Sequence, residues 1–150
     1  VVSSAAMCEA TVAAFEQADI AILCAAVADF TPCTTADKKI KKQPGQDGMV
    51  VELKTTTDIA ATLGASKQAH QRLVGFALET HDEQANALRK LQSKNLDMIV
   101  LNSLQDQGAG FGVDTNKVTL LFADGTKKDL PLLLKQEVAD VIVESILQLI

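Results

Sequence analysis

Three short, unbroken apolar runs constrain the fold of this chain more than any other feature. They cover residues 20–25, 73–77 and 98–101. Each run is too short for a helix but has the continuous hydrophobicity of a strand covered on both faces. Helix-like segments between the runs supply the crossovers that parallel strands need. We therefore predict an α/β, Rossmann-like three-layer fold with a mostly parallel sheet.

The first two predicted helices start at polar capping residues. Ser3 or Ser4 can cap a helix that runs to about residue 17, before the first apolar run. Thr57 can cap a short helix that ends near residue 63. These caps place both helices before predicted strands.

The two later helices carry stronger terminal signals. Thr80 and Glu83 have capping-box spacing for a helix over residues 81–94, and Asn95 suits its left-handed end. An amphipathic helix over residues 135–149 closes the chain.

Turn residues predict two hairpins and two loops. Strands at 39–42 and 51–54 would flank a tip with two Gly-containing turns, forming a flap over about residues 38–54. Strands at 118–122 and 127–130 would form an antiparallel edge hairpin around Asp124-Gly125. The polar segments 27–37 and 105–112 are predicted loops.

Composition excludes several classes of function. A 150-residue chain with 47% hydrophobic residues predicts a single domain over residues 1–150. No apolar run approaches the roughly 20 residues that a membrane span needs. The net charge of -5 and the absence of Trp and Tyr argue against a nucleic-acid surface. Cys8, Cys24 and Cys33 lack metal-ligand spacing, which favours free thiols and a cytoplasmic location.

Candidate functional residues cluster after the carboxyl ends of the predicted strands, where open α/β sheets bind ligands. Lys90 and Lys94 are four residues apart on one helix and could hold a polyphosphate, although lysines there also complement the helix dipole. Asp29 could bind a ribose, a base amino group or Mg²⁺, or could only hydrogen-bond its own loop. Lys39 on the flap could stabilise charge during phosphoryl or nucleotidyl transfer, or could simply protect a solvated edge strand.

Other motifs are absent from the sequence. It contains no Walker lysine motif and no dinucleotide glycine fingerprint. His70 and His81 have no partner at metal-ligand spacing and receive no chemical role. Spacing alone therefore predicts an α/β domain with an anionic ligand.

A series of motifs in order along the chain adds a family resemblance. The segments are Ala25-Ala26-Val27-Ala28-Asp29-Phe30, Lys39-Ile40-Lys41-Lys42, Thr57-Asp58-Ile59, Gly75-Phe76-Ala77-Leu78-Glu79-Thr80, Lys90-Leu91, Lys94-Asn95-Leu96-Asp97, Asn102, Phe111, Asn116 and Asp124-Gly125. This order resembles bacterial phosphopantothenoylcysteine synthetase over nearly the whole chain.

The resemblance implies a ligase of coenzyme A biosynthesis. CTP would activate 4'-phosphopantothenate as an acyl-cytidylate with release of pyrophosphate, and cysteine would then displace CMP. Lys39 would assist catalysis from the flap, and Mg²⁺ would accompany the triphosphate. The implied nucleotide-binding residues are Ala25, Ala26, Asp29, Lys39, Thr57, Asp58, Ile59, Ala60, Phe76, Lys90 and Lys94.

The sequence also departs from the pattern of the family it resembles. The family normally begins with a Gly-Gly-Thr nucleotide loop and an Asn-His-Ser-Ser-Gly-Lys segment with a catalytic asparagine, and neither occurs here. We therefore expect little ligase activity from this chain alone, and an exposed sheet edge unless another chain covers it. The resemblance further implies a homodimer, and FMN only where a decarboxylase is fused to the synthetase.

Two alternatives remain at this point. The chain could be a nucleotide-binding module without catalysis, in which Lys39 is only a solvated residue. It could instead be a structural half that requires a partner chain. The sequence does not decide between CTP and ATP, and it identifies no metal ligands.

Overall fold

The computed structural model describes residues 1–103 and 112–150, and its elements alternate between helices and strands. In chain order the elements are α1 Ser4–Phe15, β1 Ile20–Leu23, β2 Phe30–Pro32, β3 Leu53–Thr55, α2 Ile59–Ser66, β4 Arg72–Glu79, α3 Glu83–Ser93, β5 Met98–Ser103, β6 Thr115–Asn116, β7 Val118–Phe122, β8 Lys127–Asp129, β9 Leu133–Leu134 and α4 Lys135–Leu147.

The central sheet has five strands in the order β1-β4-β5-β7-β8. Strands β1, β4 and β5 are parallel to one another. Strands β7 and β8 continue the sheet in antiparallel pairs, with Gly125 at a φ of 88° in the turn between them. This arrangement confirms the predicted α/β fold with its antiparallel edge hairpin.

Helices cover the sheet on both faces, which makes three layers. One apolar cluster joins α1, α2 and α3 to the sheet through Phe15, Leu63, Leu91 and Ile99 among others. The opposite cluster packs α4 against residues such as Val100. Successive residues of β5 alternate between the two clusters, as the period of a strand requires.

Strand β1 is less buried than its continuous apolar sequence predicts. Within the described residues it pairs only with β4 and lies at the edge of the sheet. Ile22 is 43% exposed as a result. The prediction that both faces of this strand are covered was therefore wrong for this chain.

The starts of two helices also differ from the prediction. Ser3 does cap α1, since its Oγ accepts from the Ala6 amide at 3.1 Å. Helix α2 is capped by Asp58 and not by Thr57. Helix α3 begins at Glu83 after Asp82, whose φ is 45° and whose side chain makes no cap hydrogen bond. The predicted start at residue 81 was wrong because β4 extends to Glu79 and leaves residues 80–82 to reverse the chain.

The end of α3 agrees with the sequence. Asn95 has a φ of 50°, as predicted for the left-handed residue after the helix. Helix α4 ends two residues earlier than predicted.

The flap pairs at different residues from those predicted. Its antiparallel strands are β2 and β3, and the Cys33 amide adds a hydrogen bond to the Glu52 carbonyl at 2.9 Å. Residues 39–42 are not in a strand. Ile40, the apolar residue among these lysines, is exposed, so a strand there would have no apolar face to bury.

The short antiparallel pair β6–β9, which joins the strand-end region to the start of α4, was not predicted. Most of the predicted loop 105–112 lies outside the described residues.

In residues 1–103 and 112–150, no helix is long and apolar enough to cross a bilayer.

Candidate functional site

A cavity of about 900 Å³ lies beside the carboxyl ends of the parallel strands. Ten of the eleven residues predicted to bind nucleotide line it: Ala25, Ala26, Asp29, Thr57, Asp58, Ile59, Ala60, Phe76, Lys90 and Lys94. Lys39 does not line the cavity and lies exposed in the segment between β2 and β3.

Lys90 is held by the carboxylate at the end of β4. Its Nζ lies 2.7 Å from Glu79 Oε1, and the Glu79 side chain is only 11% exposed. Asn86 Nδ2 donates a long hydrogen bond of 3.4 Å to the other carboxylate oxygen. The ammonium group is therefore fixed near the strand end by a largely buried partner.

Lys94 is paired with Asp58, the cap of α2. Its Nζ lies 2.9 Å from Asp58 Oδ2, while Asp58 Oδ1 accepts from the Ala61 amide at 3.0 Å. Burial of Asp58 raises the pKa of its carboxyl, but the hydrogen bonds from Ala61 and Lys94 outweigh burial and leave the pKa below its ordinary value. The Asp58 carboxylate thus caps the start of α2 and also orients Lys94.

Close packing of two backbone segments sets the position of Lys94. A Cβ added to Gly64 would lie 1.9 Å from the Lys94 carbonyl oxygen, so α2 and the end of α3 meet at a point that admits only glycine. Asn95 Nδ2 donates to the Gly64 carbonyl at 2.8 Å. Lys67 Nζ contacts both the Asn95 carbonyl and Asp97 Oδ2 at 2.8 Å.

The loop after β1 is tied to the segment before α2. The Thr56 amide donates to the Asp29 carbonyl at 2.9 Å, and Thr56 Oγ1 donates to the Ala28 carbonyl at 2.6 Å. Asp29 lines the cavity, and its carboxylate makes no ion pair with any residue that the structure describes. Backbone bonds thus position a carboxylate that is available to a ligand.

Other polar residues line the cavity without a predicted role, among them Asn102, Asn116 and Lys135. Asn102 follows the apolar run at 98–101, and that position could have suggested it. Lys135 could not be placed from sequence, because the pair β6–β9 that brings it to the cavity was not predicted.

No group of three or more His, Cys, Asp or Glu side chains within the described ranges could hold a metal ion by itself. In triphosphate sites Mg²⁺ commonly takes oxygen ligands from the bound phosphates beside one or two carboxylates.

The family described as "DNA/pantothenate metabolism flavoprotein C-terminal domain" matches residues 1–150. The chain belongs to this family. Membership accounts for the order of motifs that the sequence analysis identified.

Two similar proteins of known name carry different descriptions. A "Cysteine/Cysteine sulfinic acid decarboxylase" from an unknown prokaryotic organism is 57% identical over 148 residues, which is 99% of this chain and 41% of that protein. The "Coenzyme A biosynthesis bifunctional protein CoaBC" of Bacillus subtilis is 51% identical over 144 residues, 96% of this chain and 35% of that protein. The chain thus spans well under half the length of either relative.

Among solved structures, the C-terminal domain of a coenzyme A biosynthesis bifunctional protein CoaBC is 40% identical, with a TM-score of 0.79. The match covers 99% of this chain and 65% of that chain. The family assignment and the fold therefore agree.

Proposed function

We propose that this chain forms the nucleotide-binding part of a CTP-dependent phosphopantothenate–cysteine ligase of coenzyme A biosynthesis. The observation that carries the proposal is that one cavity is lined by ten residues which a family resemblance had already associated with the nucleotide. The similarity to two CoaBC proteins, each over nearly the whole chain, supports the same pathway.

The proposed reaction has two balanced steps. A carboxylate oxygen of 4'-phosphopantothenate attacks the α-phosphorus of CTP, the bond from this phosphorus to the oxygen that bridges to the β-phosphate breaks, and pyrophosphate leaves. The amine of cysteine then attacks the acyl carbon, the bond from this carbon to the phosphate oxygen breaks, CMP leaves, and the nitrogen loses one proton to solvent. Both steps move negative charge onto phosphate oxygens, so catalysis depends on cations held in position.

Lys90 in α3 and Lys94, the residue directly after this helix, would supply that positive charge. Mg²⁺ bound to the triphosphate would neutralise further charge, and Asp29 fits as its protein ligand because Mg²⁺ usually takes one or two carboxylates and keeps several waters.

Lys39 would reach the phosphates only if residues 33–52 close toward the cavity. That segment is exposed nearly throughout, which leaves it room to move.

Nucleotide binding is the first test of this proposal. Titration calorimetry of the chain with CTP, ATP and UTP in the presence of Mg²⁺ should show a clear preference for CTP. Lys94→Gln should weaken binding, whereas Lys128→Gln on the distant strand β8 removes the same charge and should not. Equal affinity for all three nucleotides, or equal effects of the two variants, would count against a specific CTP site.

Turnover separates a ligase from a binding module without catalysis. A chimera in which this chain replaces the matching 144 residues of the Bacillus subtilis relative should form phosphopantothenoylcysteine from CTP, phosphopantothenate and cysteine. In that chimera, Lys39→Gln should reduce turnover strongly while CTP affinity stays nearly unchanged. A chimera that binds CTP but forms no product would favour the non-catalytic alternative. Unchanged turnover in the Lys39→Gln chimera would refute the catalytic role of Lys39.

The decarboxylase name of the 57% identical relative defines a second candidate, since a carboxylate substrate could also lose CO₂. Mass spectrometry of the chimera's products distinguishes the two reactions.

A homodimer, as implied by the family resemblance, is part of the proposal. Sedimentation velocity of the chain would measure its oligomeric state directly.

A further inference from the structure

The start of α4 and the end of β5 lie against the same cavity. The short pair β6–β9, which was not predicted, places the start of α4 there. Asn116 pairs with Leu133 in the short ladder β6–β9. Two residues beyond Leu133, the Lys135 amide donates to the Asp114 carbonyl at 2.8 Å. These bonds fix the backbone of Lys135 beside Asn116, and both residues line the cavity.

The amide of Asn116 is oriented by two hydrogen bonds. Its Nδ2 donates to Asn102 Oδ1 at 2.8 Å, and its Oδ1 accepts from the Lys117 amide at 3.0 Å. Asn102 accepts through its oxygen, and no hydrogen bond within the described residues uses its Nδ2 group, which is a donor. Amide donors and ammonium groups are what phosphate and carboxylate oxygens accept from.

Lys135 differs from the other two lysines of the cavity. Lys90 and Lys94 are each paired with a carboxylate. Lys135 is exposed and makes no ion pair or side-chain hydrogen bond with any residue in the described ranges. An anion at Lys135 would therefore not compete with a carboxylate of residues 1–103 or 112–150.

The surface between these polar groups and the rest of the cavity is apolar. Leu78 lies beside Asn102 in the sheet register and is 42% exposed, and Phe76 is on the same face of β4. A ligand with an anionic end and a largely aliphatic stem would match a polar end next to an apolar floor.

We propose that Lys135, with the Asn102–Asn116 pair, forms a second anion subsite of this cavity, which holds a phosphate group at the end of an extended ligand. The assignment to a substrate rests on the proposed function, in which two molecules carry phosphate. The exposed aliphatic side chain of Leu78 next to Asn102 favours the phosphate of 4'-phosphopantothenate over a phosphate of CTP.

Binding to Lys135→Gln tests the subsite. The chain and this variant are titrated with pyrophosphate, CTP, phosphopantothenate and pantothenate, with ¹H–¹⁵N spectra to follow folding and binding. Loss of one charge-assisted hydrogen bond should weaken phosphopantothenate roughly tenfold or more, while pantothenate, which lacks the phosphate, changes little. Lys128→Gln is the matched control, because it removes the same charge on β8 and should behave as the unmodified chain.

Each outcome has a separate meaning. A loss confined to CTP would keep the anion subsite and assign it to the nucleotide. Unchanged binding of all phosphorylated ligands in a folded Lys135→Gln variant would overturn the subsite and leave the proposed function intact. Pyrophosphate binding that depends on Lys135, without binding of CTP or phosphopantothenate, would keep the subsite and overturn the proposed function. A chain that binds no phosphorylated ligand would refute both.

Discussion

Gly64→Ala should destabilise this protein, although alanine is the better helix former. In an exposed helix the change would stabilise by roughly 0.5–1 kcal/mol. Here the new Cβ would lie 1.9 Å from the Lys94 carbonyl oxygen and 2.8 Å from its carbon, and both are backbone atoms that no rotamer change can move. Helix α2 and the end of α3 would have to separate by more than an ångström.

The size of the effect follows from what that separation disrupts. Overpacking of this kind typically costs about 1–3 kcal/mol. The hydrogen bond from Asn95 to the Gly64 carbonyl would also be lost, which adds about 1 kcal/mol. After the helix-propensity gain is subtracted, we expect the free energy of unfolding to fall by about 1–3 kcal/mol, or by roughly 3–10 °C in Tm for a chain of this size.

Urea unfolding followed by circular dichroism would measure this change. Gly48→Ala is the matched control, because a Cβ there meets no atom within 4 Å and its φ is not in the left-handed region. The control should lie within about 0.5 kcal/mol of the unmodified chain. A Gly64→Ala variant as stable as the control would refute the close approach of the two backbones.

Three other substitutions test ion pairs, two of which lie at the cavity. Lys67→Met should lower the unfolding free energy by about 2–3 kcal/mol in urea, because Asp97, only 20% exposed, would lose its cationic partner. Asp58→Asn keeps a good helix cap but removes the pairing charge. Since the folded-state pKa of Asp58 is lowered, its contribution is present above about pH 4 and is lost as pH falls through that lower pKa, so the stability difference measured at pH 7 should shrink steadily as the pH is lowered below 4. Glu79→Gln removes a negative charge beside Lys90 and should tighten pyrophosphate binding several-fold in calorimetry, whereas weaker binding would show that the pair positions the lysine for anions.

The sheet could be predicted from sequence because its signal is local. The runs at 73–77 and 98–101 are apolar without interruption, and the structure buries both between two helical layers. Strand β1 has the same kind of sequence but lies at an edge of the described sheet, because its burial depends on what neighbours it and not on its own residues. Strands of two residues, such as β6 and β9, carry no periodic signal at all.

The cavity shows the same division between local and long-range information. Spacing placed Lys90 and Lys94 on one helix, but it could not show that each would meet a carboxylate, since Asp58 is 36 residues before Lys94 and Glu79 lies on another element. The position of Lys39 was inferred from a hairpin that pairs elsewhere. Family resemblance supplied what periodicity could not, because it carries the tertiary arrangement of relatives along with their residues.

The two paired lysines are not equivalent as anion ligands. If a phosphate drew Lys90 fully away, Glu79 would be left as a nearly buried and unpaired carboxylate, which is costly at 11% exposure. Asp58 is 48% exposed, so water can solvate it when Lys94 leaves. Lys90 should therefore act as a fixed charge shared between Glu79 and a bound phosphate, while Lys94 can move toward the anion. This asymmetry lets the cavity keep its shape without ligand and still adjust one cation to the phosphate that enters.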